Sequence, residues 1–82
     1  MKHYYAVMTR VSQDRSRLGQ AQRKLSVAGA PLPDEIRAAQ DKLNNQQRTV
    51  GLAMRTRDYT AAEQNLRDME DTLAVIEKFI EQ

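Results

Sequence analysis

The stretch Val50-Gly51-Leu52-Ala53-Met54-Arg55-Thr56-Arg57-Asp58-Tyr59-Thr60-Ala61-Ala62-Glu63-Gln64-Asn65-Leu66 decides whether this chain is built from two helices or three. An apolar seam runs into it through Ile36, Ala39, Leu43, Val50 and Ala53 or Met54. Another runs out of it through Ala62, Leu66, Met69, Leu73, Ile76 and Ile80. Steps of three and four residues mark one face of a helix in each case. At 100° per residue, the distance from Val50 to Leu66 rotates the stripe by roughly 160°. One unbroken helix would therefore carry its two stripes on nearly opposite faces. A tight turn at Asp58-Tyr59-Thr60 removes the conflict, and Thr60-Ala61-Ala62-Glu63 has the S/T-x-x-E form of a capping box. The competing architecture is helix one packed on a single long helix over 34–82, dimerised through both faces.

Working back from that point, the first segment repeats an apolar residue every seven positions, at Tyr4, Val11, Leu18 and Leu25, with Val7, Ala21 and Ala28 between them. This is the seam of a helix lying against other helices. Gly29 followed by Pro31 and Pro33 ends it. The second helix restarts at Pro33, a residue suited to a first helical position, with Asp34 and Glu35 placing negative charge against the helix dipole. The expected elements are helices over about 2–28, 34–57 and 60–81. Short connections make neighbours antiparallel. The expected fold is all-α: an antiparallel three-helix bundle or helical hairpin with coiled-coil-like seams, in one domain over 1–82.

Composition agrees. Gly (three) and Pro (two) are scarce, and Tyr4, Tyr5, Tyr59 and Phe79 are the only aromatics, too few for a sandwich or barrel. With 82 residues the core is small, and the absence of cysteine removes both disulfides and thiolate zinc sites as staples. Oligomerisation is the remaining common way for such a chain to bury more surface. No run approaches the roughly 20 apolar residues of a membrane span, and no signal peptide is visible, which leaves cytoplasmic as the default location.

Charge is uneven along the chain. Residues 1–30 carry six cations against Asp14 alone, and residues 59–82 carry Arg67 and Lys78 against six carboxylates. Either the basic residues of helix one, Arg15, Arg17, Arg23 and Lys24, meet phosphates of nucleic acid or another anion, or helices one and three attract one another within a bundle or between copies. Nucleic-acid binders of this size usually carry a larger cationic excess, so the second reading is preferred.

Each of the first two seams is interrupted midway, by Asp14 or Arg15 in helix one and by Gln46 or Gln47 in helix two. Folding the hairpin about Pro31 brings these heights together, with Thr72 of helix three close by. The preferred reading is that these side chains lean outward and leave the bundle loose at its waist. The alternative is a buried polar layer of Asp14, Gln47 and Thr72 that fixes register, or in a bolder form lines a ligand pocket.

Apolar residues also lie off the seams. Tyr4, Tyr5 and Met8 widen the stripe near one end of the chain, and Val75 and Phe79 near the other. Such widening caps the core of a small bundle or offers a surface to a second copy or a partner helix. Signatures of catalysis are missing: there is no glycine-rich phosphate loop, no G-x-S-x-G and no H-E-x-x-H. His3 is expected to be an exposed residue at a frayed end, and Glu70 and Asp71 to belong to a solvated face. No catalytic residue, cofactor or metal site is expected.

The segment from Gly51-Leu52-Ala53 to Arg57-Asp58-Tyr59-Thr60-Ala61-Ala62 resembles the turn inside a tetratricopeptide helix pair. The resemblance covers under half the chain, has no second copy and brings no site residues. It implies protein–protein binding. The sequence thus points to a non-enzymatic adaptor, assembly or regulatory module that binds a protein partner or itself, through a surface including Tyr4, Tyr5, Met8, Val75 and Phe79.

Overall fold

A computed structural model describes residues 2–81 as three helices, α1 (Lys2–Val27), α2 (Asp34–Arg55) and α3 (Tyr59–Ile80), in a body of 46 × 20 × 17 Å. The two end residues of the expected domain, 1 and 82, lie outside the described residues. The bundle runs up, down, up. His3 on α1 meets Glu63 on α3 and Arg10 meets Glu77, so α1 and α3 are parallel, whereas Met8 and Arg15 of α1 reach Gln47 and Asn44 of α2 in descending order.

The long-rod alternative is not adopted, and the break falls two residues earlier than expected. Arg57 takes a left-handed backbone conformation (φ 58°). Its N–H bonds the Met54 carbonyl at 3.2 Å, and the Asp58 N–H bonds the Ala53 carbonyl at 2.9 Å. Together these bonds form a Schellman motif, which satisfies carbonyls that the end of α2 would otherwise leave unpaired. Asp58 then serves at once as the N-cap of α3, its side chain accepting from the Ala61 N–H at 3.2 Å. The cap is therefore Asp58 and not Thr60, and no capping box with Glu63 forms. A side-chain carboxylate one residue beyond a left-handed residue closes a connection too tight for the turn expected at 58–60.

The α1–α2 connection uses the same motif with the residue type the conformation favours. Gly29 (φ 74°) sits between the bonds Gly29 N–H to Ser26 carbonyl and Ala30 N–H to Leu25 carbonyl, 3.0 and 2.8 Å. Leu32 folds back into the core. Pro33 is the N-cap of α2 and not its first helical residue. It has no side chain to cap with, and its carbonyl accepts from Ile36 and Arg37.

α3 is the central element. Leu66, Met69, Leu73 and Ile76 are fully buried, facing Val7, Val11 and Leu18 on one side and Ile36, Leu43 and Val50 on the other. Each such side chain contributes about 1.5–3 kcal/mol by leaving water. α3 packs against both neighbours, but among the described residues no Cα of α1 comes within 8 Å of a Cα of α2. The third side of the bundle is held by long side chains and stays partly open.

Candidate functional site

A ladder of charge joins α1 to α3. His3 and Arg10 stand seven residues apart on α1, and Glu63, Glu70 and Glu77 repeat at the same interval on α3. Two parallel helices whose seams repeat every seven residues bring such flanking series into register. Nδ1 of His3 bonds Glu63, and its Nε2 lies 2.7 Å from Glu70. Both ring nitrogens face carboxylates, an arrangement that favours the imidazolium form, and the His3 pKa is raised by its bonds to Glu63 and then Glu70. Arg10 gives Nη2 and Nε to the two oxygens of Glu77 at 2.7 and 3.2 Å, with Nη1 3.6 Å from Glu70. Two sequence expectations are corrected here. His3 is partly buried between two partners and is not a frayed end, and Glu70 belongs to the ladder. Asp71 is exposed, as expected for a solvated face.

Asp14 lies at the top of this ladder and inside the core, only 3% exposed. It does not lean outward, because it occupies the seam position between Val11 and Leu18, whose burial carries it inward. Its Oδ2 is buried without a hydrogen-bond partner. Burial, then the neighbouring Glu77 carboxylate, push its pKa up to about 7, against the opposing pull of Arg10 and Arg17. Arg10, bound to Glu77, holds that carboxyl below its ordinary value.

The other members of the expected polar layer do not join Asp14. Thr72 is buried, but its hydroxyl donates to the Asp68 carbonyl of its own helix at 3.2 Å. Gln47 is half-buried and donates to the Met8 sulfur at 3.8 Å. Gln46 points inward enough to leave its own Oε1 buried and unpartnered. The charged groups that act on Asp14 most strongly are thus Glu77 and Arg10, which sequence reasoning missed. Their signal was the shared seven-residue interval of cations on one helix and carboxylates on another.

Between α1 and α2 lies a cleft of about 380 Å³, bounded by Asp14 and Gly19 of α1, Gln40 and Asn44 of α2, and an apolar floor that includes Leu43 and Ile76. Arg15 spans its mouth, donating from Nη2 to Asn44 Oδ1 at 2.6 Å.

The remaining candidate residues divide by position. Tyr4, Met8 and Phe79 are half-buried against the core, while Tyr5 is 66% and Val75 38% exposed. The rings of Tyr4 and Tyr5 meet edge to face, centroids 5.5 Å apart. Because α1 and α3 are parallel, Tyr4, Tyr5 and Met8 stand at the opposite end of α3 from Val75 and Phe79, and the five residues do not form one patch. Arg15, Arg17, Arg23 and Lys24 are all exposed. At 100° per residue Arg15 and Arg17 point roughly 160° apart, and only Arg17 and Lys24 share a face, beside Leu25, Phe79 and Ile80.

Among the described residues no helix is long and apolar enough to cross a membrane, and no group of three or more metal-ligating side chains converges. Comparison with protein-family models, with curated proteins and with solved structures gave no match, so the turn over 51–62 stands as a local likeness to the tetratricopeptide turn.

Proposed function

We propose that this chain is a non-enzymatic helical interaction module that pairs with a second copy of itself through one end of the bundle. The observation that carries this reading is the gathering of exposed apolar side chains at that end. α1 begins there, α2 ends there and α3 begins there, which places Tyr5 (66% exposed), Leu52 (57%) and Tyr59 (53%) around it, with Tyr4 and Met8 behind. Aromatic and aliphatic groups left in water by a monomer are the usual substance of a contact surface, since covering them removes apolar area from solvent at small entropic cost. A chain of this length has few other ways to increase its burial.

The charge pattern supports protein contact over nucleic-acid contact. Part of the excess on α1 is neutralised within the chain, by Glu77 and Glu70 on Arg10. Of the cations of α1 that make no ion pair among the described residues, Arg17 and Arg23 face different directions and only Arg17 and Lys24 share a face, whereas a phosphate backbone is met by a longer row of cations on one face.

Sedimentation at increasing protein concentration tests the reading. The expected result is a mass that rises above the monomer and returns to it in the double variant Tyr5→Ser, Tyr59→Ser. A wild-type chain that stays monomeric at about millimolar concentration, weaker than any useful self-contact, would sink the proposal, as would a variant with undiminished association.

A further inference from the structure

We infer that the cleft between α1 and α2 is a binding site for a small organic cation, an ammonium or guanidinium group on a short apolar stem, with Asp14 as its counter-ion. The first ground is a charge deficit. Arg10 is committed to Glu77 through two hydrogen bonds and shares its remaining nitrogen with Glu70, which His3 also contacts. Asp14, in the same layer, has no Lys or Arg nitrogen within 4 Å among the described residues. A carboxylate 97% removed from solvent with neither cation nor hydrogen-bond donor on Oδ2 is unfavourable unless it is protonated or a cation reaches it.

The second ground is the shape of the space beside it. Asp14 is one of the residues that line the cleft, which measures about 380 Å³, within the range that holds a small ligand. Gly19 forms part of its wall, and a Cβ there would meet nothing within 4 Å. Nothing inside this chain requires a glycine at that helix-interior position, where it costs about 1 kcal/mol. Leu18, Leu43 and Ile76 offer a surface for an alkyl stem, and the side-chain carbonyl of Gln40 offers an acceptor for a further N–H group.

The sign of the ligand follows from the lining. Asp14 and Asp41 are the anions, and Arg15, the single cation, already donates to Asn44. A bare metal ion is a poor fit, because hard cations take six or more converging oxygens and here apolar groups form the floor. The site is separate from the Tyr5–Tyr59 end of the bundle, so it does not depend on that surface being an interface. The cation has two possible sources, a free small molecule or an arginine or lysine side chain of a second copy.

The test is a titration of the full chain with n-butylguanidinium, followed by amide NMR shifts at pH 8. Of the charged groups facing Asp14 (Arg10, Arg17 and Glu77), the mutual pairing of Arg10 and Glu77 raises the one pKa and lowers the other, so both stay charged there. Ionic strength is held at about 0.15 M so that general screening does not change. Neutral n-butylurea is the matched control. The expected result is saturable shifts centred on Leu18, Gly19 and Asn44 in the millimolar range, absent with the urea and weakened at least about tenfold, or 1.4 kcal/mol, in Asp14→Asn. Gly19→Leu, which fills the cleft and leaves Asp14 in place, should block binding as well. Equal response to the urea, shifts spread over exposed carboxylates, or retention of binding in both variants would overturn the site. A second arm dilutes the ligand-free protein from about 1 mM to about 20 µM. Loss of signal shifts at the same amides assigns the cation to a second copy, and their constancy with a positive titration assigns it to a free molecule. Failure of both arms ends the proposal.

Discussion

Arg10 and Glu77 form the one two-pronged ion pair between α1 and α3 among the described residues, with both carboxylate oxygens engaged, and Asp14 is left beside it as a second carboxylate without a cation of its own. Removing a member of this layer should therefore have opposite effects depending on which carboxyl is removed. Glu77→Gln leaves the half-buried guanidinium of Arg10 with a weaker acceptor and should lower stability by about 1–2 kcal/mol. Asp14→Leu removes an unpartnered acid from the core and fits the seam of Val11 and Leu18. It should raise stability at pH 8 by about 1–3 kcal/mol. Urea unfolding of the two variants and wild type measures both, and a loss of stability in Asp14→Leu at that pH would contradict this account of the layer.

Stability should fall as pH rises from 6 to 8. The folded pKa of Asp14, about 7, lies above its ordinary 3.8, so the folded state holds a proton that the unfolded chain releases. The resulting penalty grows between about pH 4 and 7 and then levels off. His3 has a raised pKa, and its bonds to Glu63 and Glu70 contribute fully below its ordinary value and are lost as pH rises through the folded one. Both effects have the same sign. Glu77 acts oppositely in acid, where protonation of a carboxyl held low by Arg10 removes the Arg10 pair as pH falls. Thermal melts across pH should show a maximum on the acid side of neutrality, and Asp14→Leu with His3→Ala should flatten the decline above it.

The α2–α3 connection should respond to its unusual residue. Arg57 holds a left-handed conformation that costs an L-residue about 1–2 kcal/mol, and glycine adopts it without that cost. Arg57→Gly is expected to stabilise by roughly 1 kcal/mol, less whatever glycine adds to the entropy of the unfolded chain. Asp58→Ala should destabilise by about 1 kcal/mol through loss of the bond to the Ala61 N–H. Equal and opposite shifts in denaturation midpoint would identify the turn as read here. A destabilised Arg57→Gly would show that the arginine side chain contributes something its exposure does not suggest.

Much of the fold was set by local pattern. The seams Val7, Val11, Leu18 and Leu66, Met69, Leu73, Ile76 could be read as helix faces because burial repeats with the helical period, and the rotation of the stripe between Val50 and Leu66 required a break whatever the turn looked like. Gly29 marked its own position, since the left-handed geometry it adopts favours that residue. What the tertiary structure decided were relations between elements. That Asp14 and not Arg15 turns inward follows from the seam of Val11 and Leu18, but that its carboxyl stands beside Glu77 depended on how α1 and α3 pack. Arg57 could close a turn because Asp58 was placed to cap the next helix, a combination with no strong marker in either residue alone. The charge excess of α1 and deficit of α3 predicted attraction, but the pairing of His3 with Glu63 and Glu70, and of Arg10 with Glu77, required the two helices to be parallel and in register. That register is fixed by side chains distant in sequence, and so is the open side between α1 and α2. Local preference determines helices, and the packing of α3 against both neighbours determines which charges they bring together.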